Sequence, residues 1–120
     1  GDVYKRQSTG RPFVSLKSSE RFSTVFRTGT ASRSGGITVL SAPASIGPPQ
    51  VGFVAARRVG NAVRRNRAKR RLREAMMKVE LQADTAYVVI ASPGAATMSF
   101  DDLVDRLGDA VSASEEADSR

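Results

Sequence analysis

Residues 51–91 read VGFVAARRVGNAVRRNRAKRRLREAMMKVELQADTAYVVIA, and this stretch decides the fold. Its first seven residues, 51–57, mix β-branched and aromatic side chains and predict a strand. Gly60-Asn61 breaks that strand, and Asn61 is a good N-cap for a helix over about 62–81. The continuous apolar run at 86–91 predicts a buried strand. A strand, a long helix and a strand in that order form a β-α-β unit whose crossover is long enough to make the two strands parallel. Advancing 100° per residue, Ala68, Leu72, Ala75, Met76 and Val79 fall on one stripe, which is expected to pack on the sheet. Arg64, Arg67, Arg71 and Lys78 fan along one flank of that stripe. Asn66, Arg70 and Arg73 fan along the other, and Val63 lies opposite the stripe.

Outward from this unit the chain reads as one domain. Residues 1–17 show no clear period and are expected to be a flexible N-terminal segment. Ser18 or Ser19 can cap a short helix with Glu20 in its first turn. Phe22, Val25 and Phe26 take i, i+3, i+4 spacing, and Gly29 ends the helix. A strand is expected at 37–42 after Gly35-Gly36, with room for a further short strand near 30–33. Pro48-Pro49 marks a loop, and Pro93-Gly94 a turn. Ser99 and Asp102 suit the start of a last helix with Phe100, Leu103, Val104 and Leu107 on its apolar face. Residues 112–120 read as a frayed acidic tail. The order is α-β-β-α-β-α. The expected fold is therefore α+β, a two-layer α/β sandwich over 18–111.

The 120 residues contain no Cys, no His and no Trp. Disulfides, thiol nucleophiles, His general bases and Cys/His zinc sites are thereby excluded. No apolar run approaches the roughly 18 residues a membrane span needs, and no apolar leader stands near residue 1. A cytoplasmic protein is expected, with no membrane partner and monomeric when free. Net charge is +7, and it is segregated. Residues 57–78 hold ten bases and one acid, Glu74, whereas residues 99–120 hold seven acids and two bases. An ordinary surface helix mixes signs and gains from i, i+4 pairs. Here the span from Arg64 to Arg73 has no acid, and Arg64 and Arg65 sit in the first turn, where the helix dipole opposes cations by about 0.3–1 kcal/mol each. Repulsion that no local partner relieves points to an external polyanion. Phosphate suits it: arginine forks clamp oxygens and stack on bases, and the Gly60-Asn61 helix start adds backbone N–H groups. Phe22 and Phe26 could offer rings to unstacked bases, or could simply be core.

The run Gly60-Asn61-Ala62-Val63-Arg64-Arg65-Asn66-Arg67-Ala68-Lys69-Arg70-Arg71-Leu72-Arg73 closely resembles the signature of the bacterial ribonuclease P protein component, with its "RNR" motif at Arg65-Asn66-Arg67. The resemblance continues through Val51-Gly52-Phe53, Arg57-Arg58 and Phe22-x-x-Val25-Phe26-x-x-Gly29, and covers roughly residues 17–110. It implies a fold like the second domain of a small-subunit ribosomal protein, with a left-handed β-α-β crossover where general rules would favour a right-handed one. It also implies a role. The family's protein assists a catalytic RNA that uses Mg²⁺, held mainly by the RNA, to remove the 5′ leader of precursor tRNA. Asn61, Arg64, Arg65, Asn66, Arg67, Lys69, Arg70, Arg71 and Arg73 would bind the catalytic RNA. Phe22, Phe26, Arg57 and Arg58 would line a cleft for the leader. No catalytic and no metal-ligating residue is expected in this chain; Asp101, Asp102, Asp105 and Asp109 read as a helix start and a solvated face. Residues 1–9 match nothing in the family pattern, the strand at 37–40 lacks an aromatic residue common there, and Ala56 stands where a polar residue is usual. Three rival readings are a ribosomal protein of the same fold, a DNA-binding basic region, which would need leucine heptads downstream, and a true nuclease with carboxylate-bound metal, which would need inward-facing paired acids outside the basic helix.

Overall fold

A computed structural model describes residues 13–118. The elements are β1 (Val14–Ser15), α1 (Ser19–Thr28), β2 (Thr30–Ser34), β3 (Ile37–Pro43), β4 (Gln50–Ala55), α2 (Ala62–Met76), β5 (Thr85–Ala91) and α3 (Phe100–Asp118). Short 3₁₀ turns occupy Arg57–Val59 and Pro93–Ala96. The sheet order is β1-β4-β5-β3-β2. β4 lies parallel to β5, with Val51 opposite Tyr87, so the predicted β-α-β unit is present. β3 runs antiparallel to both β5 and β2. Gly35 and Gly36 close the β2–β3 hairpin, both at positive φ (59° and 88°) as a two-residue primed turn requires.

Alternation along the strands separates two apolar clusters. Ile37, Val39, Val51, Tyr87 and Val89 point to the face covered by α2 and α3. Leu40, Ala42, Ala86 and Val88 point to the other face, where Val25 of α1 packs. The α+β sandwich is the fold found, with the short first helix on the opposite side of the sheet from the other two.

Three boundaries differ from the sequence reading. Residues 13–17 do not belong to a flexible segment. Val14 N–H donates to the Pro49 carbonyl and Leu16 N–H to the Val51 carbonyl (2.9 Å each), and Phe13 and Leu16 are buried. The rest of the expected N-terminal segment, 1–12, lies outside the described residues. Helix α2 ends at Met76 rather than near 81. Lys78 N–H and Val79 N–H donate to the Ala75 and Met76 carbonyls, so the chain tightens into a turn that still buries Val79. The stripe residue thus reports burial correctly and helix length incorrectly. The acidic tail is helical through Asp118, because Ala110, Val111 and Ser114 continue the buried stripe. Ser114 tolerates burial by donating its hydroxyl to the Val111 carbonyl (2.9 Å).

That last turn is latched to the sheet. The Tyr87 hydroxyl donates to a Glu115 carboxylate oxygen and accepts from the Gln82 N–H (2.9 Å). Burial pushes the Glu115 carboxyl above the usual carboxylate range, against the lowering effect of the Tyr87 hydrogen bond, and Glu80 adds repulsion. A carboxyl whose folded pKa is raised contributes stability below its unfolded pKa and loses it as pH rises through the folded value. Between mildly acidic and neutral pH the wild type is therefore expected to lose stability relative to Glu115→Gln. Urea titrations of both proteins across that interval check this; parallel curves would contradict it.

Candidate nucleic-acid interface

Helix α2 presents the basic surface. Ala68, Leu72, Ala75 and Met76 are buried against the sheet, as the wheel predicts, and Val63 stands 76% exposed on the outer side. Arg64, Asn66, Arg67 and Arg70 are exposed. The two flanks of the wheel meet different neighbours. Arg64, Arg67 and Arg71 line a cavity closed by Ala96 and Thr97. On the other flank the Arg73 guanidinium lies 5.4 Å from the centre of the Phe53 ring, which also touches Phe13 at 6.1 Å.

Several predicted contact residues carry structural duties. The Asn61 side-chain oxygen caps the helix by accepting the Arg64 N–H (2.9 Å). Half-buried Arg65 donates to the Gly60 carbonyl (2.9 Å). Arg71 is tied down more firmly. Its Nη1 donates to the Ala95 carbonyl (2.9 Å) and its Nη2 to the Met98 carbonyl. The sequence placed Arg71 with the freely projecting bases; the structure makes it the clamp that holds the 93–98 turn against α2.

A second candidate surface lies between α1 and the sheet. Val25, not Phe22 or Phe26, is the fully buried residue of α1. Phe26 is 47% exposed, and the half-buried Phe22 ring lies directly over Gly52 of β4. Farther along, Arg21 donates to the Gln50 side chain (2.8 Å) beside a groove lined by Leu16, Thr24 and Pro43. Arg57 and Arg58 are exposed in the turn that leads from β4 to α2. Gly52 and Thr97 were missed by sequence reasoning, because their importance is to a neighbour distant in the chain.

Among the described residues no group of three or more Asp, Glu, His or Cys side chains is placed to hold a metal ion. No helix of the described residues is long and apolar enough to cross a membrane. Because α2 stops at Met76 and β5 follows, the heptads of a zippered DNA-binding region have no room.

The ribonuclease P family model matches residues 11–114. The chain belongs to the ribonuclease P protein component family. Relatives agree. The ribonuclease P protein component of Beutenbergia cavernae is 40% identical over 91 residues, covering 73% of this chain and 76% of the relative. That of Symbiobacterium thermophilum is 44% identical over 92 residues, covering 73% and 79%. Among solved structures, the Staphylococcus aureus RNase P protein superposes with a TM-score of 0.70 at 22% identity, covering 82% of this chain and 93% of that one. The Thermotoga maritima RNase P protein gives 0.67 at 23% identity, covering 77% and 89%. The family's fold is thus the fold described above, and of the RNR motif on its central helix Asn66 and Arg67 are exposed while Arg65 is half-buried.

Proposed function

We propose that this ribonuclease P protein binds the catalytic RNA of the enzyme through the outer face of α2, and the 5′ leader of precursor tRNA in the cleft between α1 and the sheet. The observation that carries the reading is the exposed run Arg64, Asn66, Arg67 and Arg70, set on a helix with no acid before Glu74. Lys69 and Arg73 extend this surface. Phe26 and the Phe22 edge supply rings for unstacked bases, and Arg57 and Arg58 connect the two surfaces. Neutralising phosphates lets two RNAs approach one another and lowers the magnesium they need. Catalysis and Mg²⁺ belong to the RNA; this chain, a monomer when free, positions substrate.

The test is cleavage of precursor tRNA by a bacterial ribonuclease P RNA at low magnesium, with and without the protein. Rescue that disappears when Arg65, Asn66 and Arg67 are replaced together supports the reading. Tight RNA binding without rescue would move the assignment to a structural RNA, and cleavage by the protein alone would overturn it. In the same system Arg67→Ala combined with Arg70→Ala is expected to reduce the salt slope of RNA binding by about 1.5, roughly 0.7–0.9 per lost phosphate contact. Folding stability should change by less than about 0.5 kcal/mol for each exposed residue. Unchanged affinity with a large fall in melting temperature would reverse that assignment.

A further inference from the structure

The flank of α2 that meets the 93–98 turn differs from the rest of the basic surface because it is concave. Arg64, Arg67 and Arg71 follow one another at i, i+3 and i+7, so their side chains leave one side of the helix over about 10 Å. The cavity they line is closed by Ala96 and Thr97 and has no acid in its wall. Each arginine is held differently. The Arg64 stem lies against Gly60, where a Cβ would come within 2.5 Å of its Cδ, and Gly60 has a φ of 140° that side chains avoid. Arg71 spends Nη1 and Nη2 donors on the Ala95 and Met98 carbonyls, which fixes the turn as a wall. Arg67 projects between them and is exposed. Thr97 is exposed at the rim, and its hydroxyl makes only a long contact (3.4 Å) with the Gly94 carbonyl.

Three guanidinium groups around one cavity repel each other unless an anion sits there, and a forked guanidinium matches the oxygens of a phosphate. We infer that this cavity is a built seat for a single phosphate group, clamped by Arg64 and Arg67 and completed by the Thr97 hydroxyl, with Arg71 as a positioning residue. The inference rests on the RNA-binding reading for the source of the phosphate, which is assigned to the backbone of bound RNA. It extends the interface beyond α2 to the turn that precedes α3, and it makes one phosphate position fixed where the remaining bases act as a diffuse field.

The probe is inorganic phosphate, titrated into the full chain while backbone and arginine Nε–H resonances are followed. Saturable shifts confined to Arg64, Arg67, Arg71 and Thr97 are expected. Thr97→Val should weaken phosphate binding about tenfold, the value of one hydrogen bond to a charged group, and Thr97→Ser should restore it with the melting temperature unchanged in both. Uniform, non-saturating shifts across all the α2 arginines, or full binding by Thr97→Val, would overturn the seat while leaving RNA binding by α2 intact. Stoichiometric ribonuclease P RNA should abolish the phosphate response. Phosphate that still binds beside bound RNA would overturn the assignment to the RNA backbone. A saturable seat in a protein that fails to bind the RNA would uphold the seat and refute the RNA-binding reading.

Discussion

Arg71→Ala is expected to lower folding stability by about 2–4 kcal/mol, a fall in melting temperature on the order of 10 °C. The two carbonyls that Arg71 holds belong to Ala95 and Met98, at the junction of β5 and α3. Ala95 is fully buried, so its carbonyl has little access to water once the guanidinium is gone. Hydrogen bonds to a charged donor contribute about 1.5–3 kcal/mol each, and the half-exposed Met98 end recovers part of that from solvent. Arg71→Lys should recover less than half of the loss, because an ammonium on a flexible stem cannot span both acceptors as the planar fork does. Urea denaturation of the two variants beside Arg70→Ala is the check. Arg70 is exposed on the same helix and should cost less than about 0.5 kcal/mol. An Arg71→Ala protein as stable as Arg70→Ala would show that the turn holds itself.

The second large effect is expected at Gly52→Val, a loss of about 1–3 kcal/mol with α1 displaced from the sheet. A β-branched residue in place of glycine within a strand would ordinarily stabilise it. The sign reverses here because a Cβ at Gly52 would fall 2.3 Å from Phe22 Cζ and 2.6 Å from Cε1. The ring must leave, and α1, which buries only Val25 fully, then loses much of its hold. A double-mutant cycle isolates the contact. Phe22→Ala combined with Gly52→Val should be less destabilised than the sum of the single changes, because the clash disappears with the ring. Strict additivity would mean that Gly52 and Phe22 act independently.

Much of the fold was legible because local signals and tertiary needs coincide. The β-α-β unit announced itself through a β-branched strand, an Asn cap and a stripe at helical spacing. The Asn61 cap and the exposed Val63 are found as read, and the basic flanks hold within the helix, whereas Lys78 falls in the turn past its end. The candidate site was legible through charge, since a helix with no acid from Arg64 to Arg73 has no internal reason to be so basic. The misreadings share one cause. Strand β1 has two residues, too few for an alternating pattern, and exists because β4 offers it hydrogen bonds. The end of α2 and the length of α3 were set by what lies underneath: Val79 reaches the core from a turn, and the acidic last turns of α3 are kept helical by a buried Ser114 and by Tyr87.

By itself, the amino-acid sequence determined the class of fold, the basic helix and its two flanks, the absence of Cys and His chemistry, and the resemblance that leads to ribonuclease P. Each depends on residue type or on spacing within one helical or strand period, and both are properties of neighbours along the chain. The tertiary structure alone decided which arginines are free. Arg71 became a clamp and Arg73 a partner of Phe53 because elements 20 or more residues away supply the carbonyls and the ring. It also decided that Phe22 rests on a glycine, and that a turn between β5 and α3 closes a pocket over the basic flank. A side chain's partner is fixed by packing, and packing brings together residues whose separation along the chain carries no periodic signal.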